Sequence, residues 1–231
     1  MHFAPDTENT LEFAVTLGNT HPSASRSGLD ELATPADLTA LLDAVTYSGR
    51  FDRDVAELRE VKETRDHLRR IWTLDADYAV IEVNAMLRDA SALPFLTRHD
   101  HFGWHLHATD SEAPLAERMR VEVALALVDV IRTGETGRMR VCDAPDCEGL
   151  LLDLSRNGSK RFCSVRCGNR MNQLAHRERL GGEGEPAGGP RYAAARLLDQ
   201  PDYSCAATGL TTAARQLDQP DYSCGAWLSR V

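Results

Sequence analysis

Apolar residues recur at helical spacing in four stretches of this chain. In "TPADLTALLDAV", Leu38, Leu41, Leu42 and Val45 line one face, with Thr34 placed as the N-cap and Pro35 at the first helical position. "FDRDVAELREVKETRDHLRRIW" repeats the pattern, with Asp52 as the cap and Val55, Leu58, Val61, Leu68 and Ile71 facing inward. "DADYAVIEVNAMLRDAS" predicts a third helix. "SEAPLAERMRVEVALALVDVIRTG" predicts a fourth, in which Val121, Leu125, Val128 and Ile131 form a face, Ala124 and Leu127 lie beside it and Gly134 ends it. That helix is apolar nearly all round, which places it at the centre of a bundle. Upstream, "LEFAVTL" fits either a short strand or the start of a buried helix, and "HPSASRSG" reads as a loop.

Between the third and fourth helices the period changes to two. In "PFLTRHDHFGWHLHATD" Phe102, Trp104 and Leu106 alternate with polar residues, which predicts a strand or hairpin. His99, His101, His105 and His107 share parity there. They read as a polar strand face opposite the apolar residues; a second metal site is the alternative. The fold class expected is mainly α. Residues 1–137 form a helical bundle with a small β-hairpin, and residues 138–180 a small α+β module. Residues 181–231 are a glycine-rich linker, "GGEGEPAGGP", and a flexible tail. In that tail "AARLLDQPDYSC" at 194–205 recurs as "AARQLDQPDYSC" at 213–224, a period of 19.

Composition narrows the function. The net charge is −9 over 231 residues, so the whole molecule is no general polyanion binder. No apolar run approaches the roughly 20 residues of a membrane span, and acids precede the first apolar stretch where a signal peptide carries bases. The chain is therefore expected in the reducing cytoplasm, where its six cysteines are metal ligands or free thiols. It carries no glycine-rich phosphate loop, nucleophile elbow or readable carboxylate pair, so an enzyme is not expected.

Four of the cysteines are paired. Cys142 and Cys147 lie five apart, Cys163 and Cys167 four apart, and fifteen residues separate the pairs. Two close pairs brought together by a short hairpin are what a closed, structural zinc site needs. Pro145 and Asp146 suit a turn within the first pair, Leu150, Leu151 and Leu152 a returning strand, and Cys163 and Cys167 the first turn of a helix. The CGNR tetrapeptide at 167–170, the preceding pair and "LLLDLSRNGSKRFCS" resemble the CGNR zinc finger, usually carried C-terminal to an ABATE domain in bacterial transcription regulators. The helical segments from about 11 to 135, including "LATPADLTALL", are similar to that domain. The resemblance implies a helical domain able to sense a small-molecule effector, joined to a zinc-bound nucleic-acid-binding module.

Charge distribution points the same way. From Ser155 to Leu180 seven basic side chains face Glu178 alone, a net +6 that leaves −15 for the rest of a chain totalling −9. Arg166, Arg170, Gln173 and Arg177 share one helical stripe; Cys167, Met171 and Leu174 share another, about a quarter-turn away. With Lys160 and Arg161, the first stripe makes the candidate nucleic-acid contact, with Arg170 also able to bridge back to Asp153 or the thiolates. DNA is the expected partner. The alternative is a zinc-stabilised protein- or RNA-interaction module.

Overall fold

In the computed structural model the chain is described at residues 3–45, 47–98 and 103–181. The duplicated tail lies outside them, as do His99, His101 and Phe102. The described elements run α1 (Pro5–Gly18), α2 (Pro35–Ala44), α3 (Val55–Ile71), α4 (Ala76–Asp89), β1 (Phe95–Thr97), β2 (His105–His107), α5 (Leu115–Arg132), β3 (Met139–Val141), β4 (Leu150–Leu152) and α6 (Val165–Gly181). A single turn of 3-10 helix, Thr136–Arg138, links α5 to β3. The fold is mainly α with two small antiparallel hairpins. Among the described residues no helix is long and apolar enough to cross a membrane.

"LEFAVTL" is helical: it forms the middle of α1, with Leu11, Ala14 and Leu17 fully buried. Helix α2 starts as its sequence dictates. Thr34 accepts from the Asp37 amide while Asp37 accepts from the Thr34 amide, a reciprocal capping box that satisfies two amides the helix leaves unpaired. Helix α3 starts two residues later than its sequence pattern implies. Asp54, not Asp52, accepts the Glu57 amide at 2.8 Å, because Asp52 is held by a two-pronged contact with Arg50. Val55, placed inward by periodicity, is 71% exposed: it lies on the buried stripe's first turn, where nothing covers it. Leu58, Val61, Leu68 and Ile71 are buried as the spacing predicts.

Helix α5 is the centre of the bundle, meeting α1, α3 and α4. Its buried surface is wider than one stripe: Met119, Val123, Ala126 and Val130 are enclosed along with Val121, Ala124 and Leu127, while Leu125, Val128 and Ile131 are only half-buried. Gly134 follows with φ of 71°, the left-handed turn that ends the helix. The loop between α1 and α2 is tied to α3 by Asp30, which receives Arg65 at 2.7 Å and Lys62 at 2.8 Å.

The first hairpin keeps the alternation of histidines and apolar residues at 104–107 and turns the histidines inward. Thr97 pairs with His105, Leu96 with Leu106 and Phe95 with His107. His105 is buried, whereas Trp104 and Leu106 are exposed. On the inner side His107 faces Glu122 on α5, which the Tyr47 hydroxyl holds, so the imidazoles turn inward and Trp104 and Leu106 outward.

The second hairpin is welded to the bundle. Leu150 and Leu152 belong to the same hydrophobic core as α1, α3 and α5. The Asn19 side chain receives the Leu150 amide at 2.7 Å and donates to the Leu150 carbonyl at 2.9 Å. Arg69 donates to the Gly18 and Glu148 carbonyls and to Ser23, and the Trp72 indole donates to the Arg140 carbonyl.

Candidate metal centre

The strands β3 and β4 pair Met139 with Leu152, Arg140 with Leu151 and Val141 with Leu150. One further bond, from the Cys142 amide to the Gly149 carbonyl at 2.8 Å, closes the hairpin end. Cys142 and Cys147 therefore sit in the hairpin loop, where a turn from the Cys147 amide to the Ala144 carbonyl folds one thiol toward the other. The Asp143 amide bonds to the Arg161 carbonyl, which brings the returning chain and Cys163 alongside.

Asp153 organises that return. Its side chain is fully enclosed and accepts from the Ser155 amide and hydroxyl, the Lys160 amide and the Arg140 guanidinium. Burial alone would raise its pKa, but those donors hold the carboxyl below the ordinary carboxylate range. The sequence showed an aspartate before a serine-rich turn; that it anchors four donors was not legible there.

The four Sγ atoms lie within 4.8 Å of one another. Cys147 and Cys163 are 3.7 Å apart and Cys163 and Cys167 3.8 Å. Sulfurs about 2.3 Å from a tetrahedral ion are separated by about 3.8 Å, so these spacings are edges of such a tetrahedron; disulfide sulfurs would be about 2 Å apart. Cys163 lies just before α6 rather than on its first turn. Ser164 is the cap, accepting the Cys167 amide at 3.3 Å, and this turn aims both sulfurs at the hairpin. Amides donate toward sulfur as well: Cys163 to Cys142 Sγ and Gly149 to Cys147 Sγ. Gly149 is required by space, because a Cβ there would lie 2.7 Å from Cys163 Sγ. Its role could have been read from its place two residues after Cys147.

Burial raises the thiols of Cys147 and Cys163, the latter far above the usual range. At Cys167 burial acts in the same direction but is outweighed by hydrogen bonds from Ser164 and the neighbouring thiols, so its pKa falls. Four convergent sulfurs fit a dication, which stabilises thiolates. A small apolar cluster covers it, formed by Cys142, Ala144 and Cys167 with Phe162 and Met171 against them. Leu174, expected on this covered stripe, is 41% exposed, because the cluster ends at Met171.

The basic residues separate into two groups. Arg170 is half-buried and ion-paired to Asp146 in the hairpin loop, not to Asp153, whose guanidinium partner is Arg140. Asp146 and then the nearby thiols raise its pKa. Arg161 meets Asp143 at 2.7 Å, and the Lys160 ammonium donates to the Leu152 carbonyl. Arg166, Gln173 and Arg177 are exposed along α6 and make no side-chain hydrogen bond or ion pair among the described residues.

Fold and site together define a helical-domain protein carrying a four-cysteine metal finger. The sequence model of the ABATE family, described as "Putative stress-induced transcription regulator", matches residues 10–134, more than half of the chain, and the chain belongs to that family. The CGNR zinc finger model matches residues 138–180. Both are of regulator or zinc-finger type rather than enzyme families. No curated protein matches the chain.

Proposed function

We propose that this protein is a cytoplasmic transcription regulator that binds DNA through α6, with zinc held by Cys142, Cys147, Cys163 and Cys167. The observation that carries the reading is the exposed stripe of Arg166, Gln173 and Arg177 on a helix pinned at its start by the thiol cluster. Zinc suits four thiolates in tetrahedral array, and with every ligand position filled by protein its role is structural. It would fix the angle at which α6 leaves the hairpin. Arg166 and Arg177 would then contact phosphates and Gln173 a base edge. Arg170, Arg161 and Lys160 brace the finger from within; they are not the primary contacts.

A groove in the helical domain supports the effector-sensing part of the reading. A groove of about 470 Å³ opens between α3, α4 and α5, and its lining includes Thr64, His67, Glu82, Asp89, Glu117 and Arg120. That volume suits a small metabolite, and the mixed charge favours a dipolar one.

The test is selection of bound fragments from random and genomic DNA at physiological salt, with a random RNA pool in parallel. Enrichment of one DNA sequence supports the regulator. Enrichment confined to RNA, or none in either pool, moves the reading to the interaction module, which the internal neutralisation of Arg161 and Arg170 favours.

A further inference from the structure

The first hairpin holds a feature that the finger does not use. His105 and His107 stand two apart on β2, so both side chains leave the same face. Their Nε2 atoms are 3.0 Å apart. Each ring is fixed from its other nitrogen. His105 Nδ1 lies 2.8 Å from the Gly103 carbonyl oxygen, and a carbonyl can only accept, so the proton of this ring sits on Nδ1. His107 Nδ1 faces Glu122 Oε1 at 3.9 Å, an electrostatic contact rather than a hydrogen bond. Glu122 is itself held, because the Tyr47 hydroxyl donates to its Oε2 at 2.6 Å.

With the His105 proton on Nδ1, its Nε2 accepts, and the 3.0 Å contact is an N–H···N hydrogen bond donated by His107 Nε2. A metal ion that displaces this proton would find both Nε2 atoms already converging. Nitrogens bound at about 2.0–2.1 Å to one tetrahedral ion stand about 3.3 Å apart, so the observed spacing needs to open only slightly. A carbonyl and a carboxylate on the far nitrogens are the supports that metal-binding imidazoles characteristically have. We propose that His105 and His107 form a second metal site in the helical domain, separate from the cysteine cluster. It would take a divalent ion with an affinity for imidazole, such as nickel, copper or zinc, and would discriminate against calcium and magnesium, which require oxygen ligands. The two imidazoles supply part of the coordination, and Glu122 is a positioning residue.

The experiment uses the untagged full chain with the cysteine cluster already loaded with zinc. Nickel(II) is added by equilibrium dialysis at pH 7.5, and bound nickel and retained zinc are both counted by elemental analysis. The expected result is one nickel per chain with zinc undiminished, and loss of that nickel in His105→Gln and in His107→Gln. Glu122→Gln should bind nickel about tenfold more weakly. Nitrogen-15 NMR of the wild-type histidines, with zinc(II) as a diamagnetic probe, keeps the test open if a variant fails to fold: both Nε2 resonances should shift. Nickel binding that is unchanged in both histidine variants overturns the proposal. So does an Nε2–H between the two rings that persists in saturating metal, since the proton then keeps the place of the metal.

Discussion

Asn19, the residue just past α1, pairs through its side-chain amide with both backbone groups of Leu150. It acts as a one-residue strand against β4, on the edge that β3 leaves open. Leu150 lies three residues after Cys147 and is fully buried in the bundle core. The thiol cluster and the helical domain are therefore one mechanical unit at this point. Asn19→Ala strips a buried amide and carbonyl of their partners, which should cost about 2–3 kcal/mol in urea unfolding. Asn19→Asp keeps the acceptor for the Leu150 amide but loses the donor, and should fall between.

Metal removal should therefore register beyond the finger. A ligand that binds only the folded state stabilises everything that unfolds with its site. Purified protein should contain one zinc per chain at the cysteine cluster, and Cys163→Ser should lose it. Stripping the zinc with a chelator should lower the main thermal transition, which includes α1 and α5, rather than melt a separate small module. A main transition unchanged by chelation would show that the shared core carries no coupling. Gly149→Ala, which places a Cβ against Cys163 Sγ, should weaken zinc retention at least about tenfold, or about 1.4 kcal/mol.

Asp30 gives a pH signature. Burial works against its charge, but Arg65 and Lys62 hold the carboxyl well below the usual carboxylate range. Between the folded and unfolded values the unfolded chain binds more protons. The contribution is thus present above about pH 4 and is lost as pH falls through the folded value. Asp30→Asn leaves the Arg65 guanidinium, only 3% exposed, with Asp66 as its one charged partner among the described residues and the Thr20 hydroxyl as a neutral one. It should cost about 3 kcal/mol at pH 7. The gap from the wild type should narrow as the pH is lowered below about 4; a constant gap would mean that the lost contact is not electrostatic.

How much of this was legible in the sequence depended on how local the cause was. Thr34 and Pro35 announce α2 because a cap is set by four consecutive residues. The cysteine spacing announces the cluster because only fifteen residues, β4 and the loop held by Asp153, separate the pairs. The start of α3 was misplaced because Asp52 and Asp54 are equally good caps locally, and Arg50 decides between them. The inward turn of His105 and His107 was hidden because Glu122, which His107 faces, is distant in sequence. Helical periodicity places Arg170 on the stripe; its ion pair with Asp146, twenty-four residues earlier, is a non-local contact that periodicity does not show.

That division of the basic residues yields the sharpest test of α6. Arg166→Ala with Arg177→Ala removes two exposed cations that touch nothing else described. If each neutralises one phosphate, the slope of log affinity against log salt should fall by about two, with zinc content and helicity unchanged. Gln173→Ala should relax sequence preference more than it lowers affinity. Arg170→Ala should behave differently, because its guanidinium closes on Asp146 across the finger. Its loss frees the hairpin loop beside the thiols, so zinc should exchange faster while the salt slope barely moves. Fluorescence anisotropy across a salt series, with zinc release followed by a chromophoric chelator, separates the two classes. If Arg170→Ala cuts the slope and the double variant does not, the assignment of contact and bracing residues on this stripe is reversed.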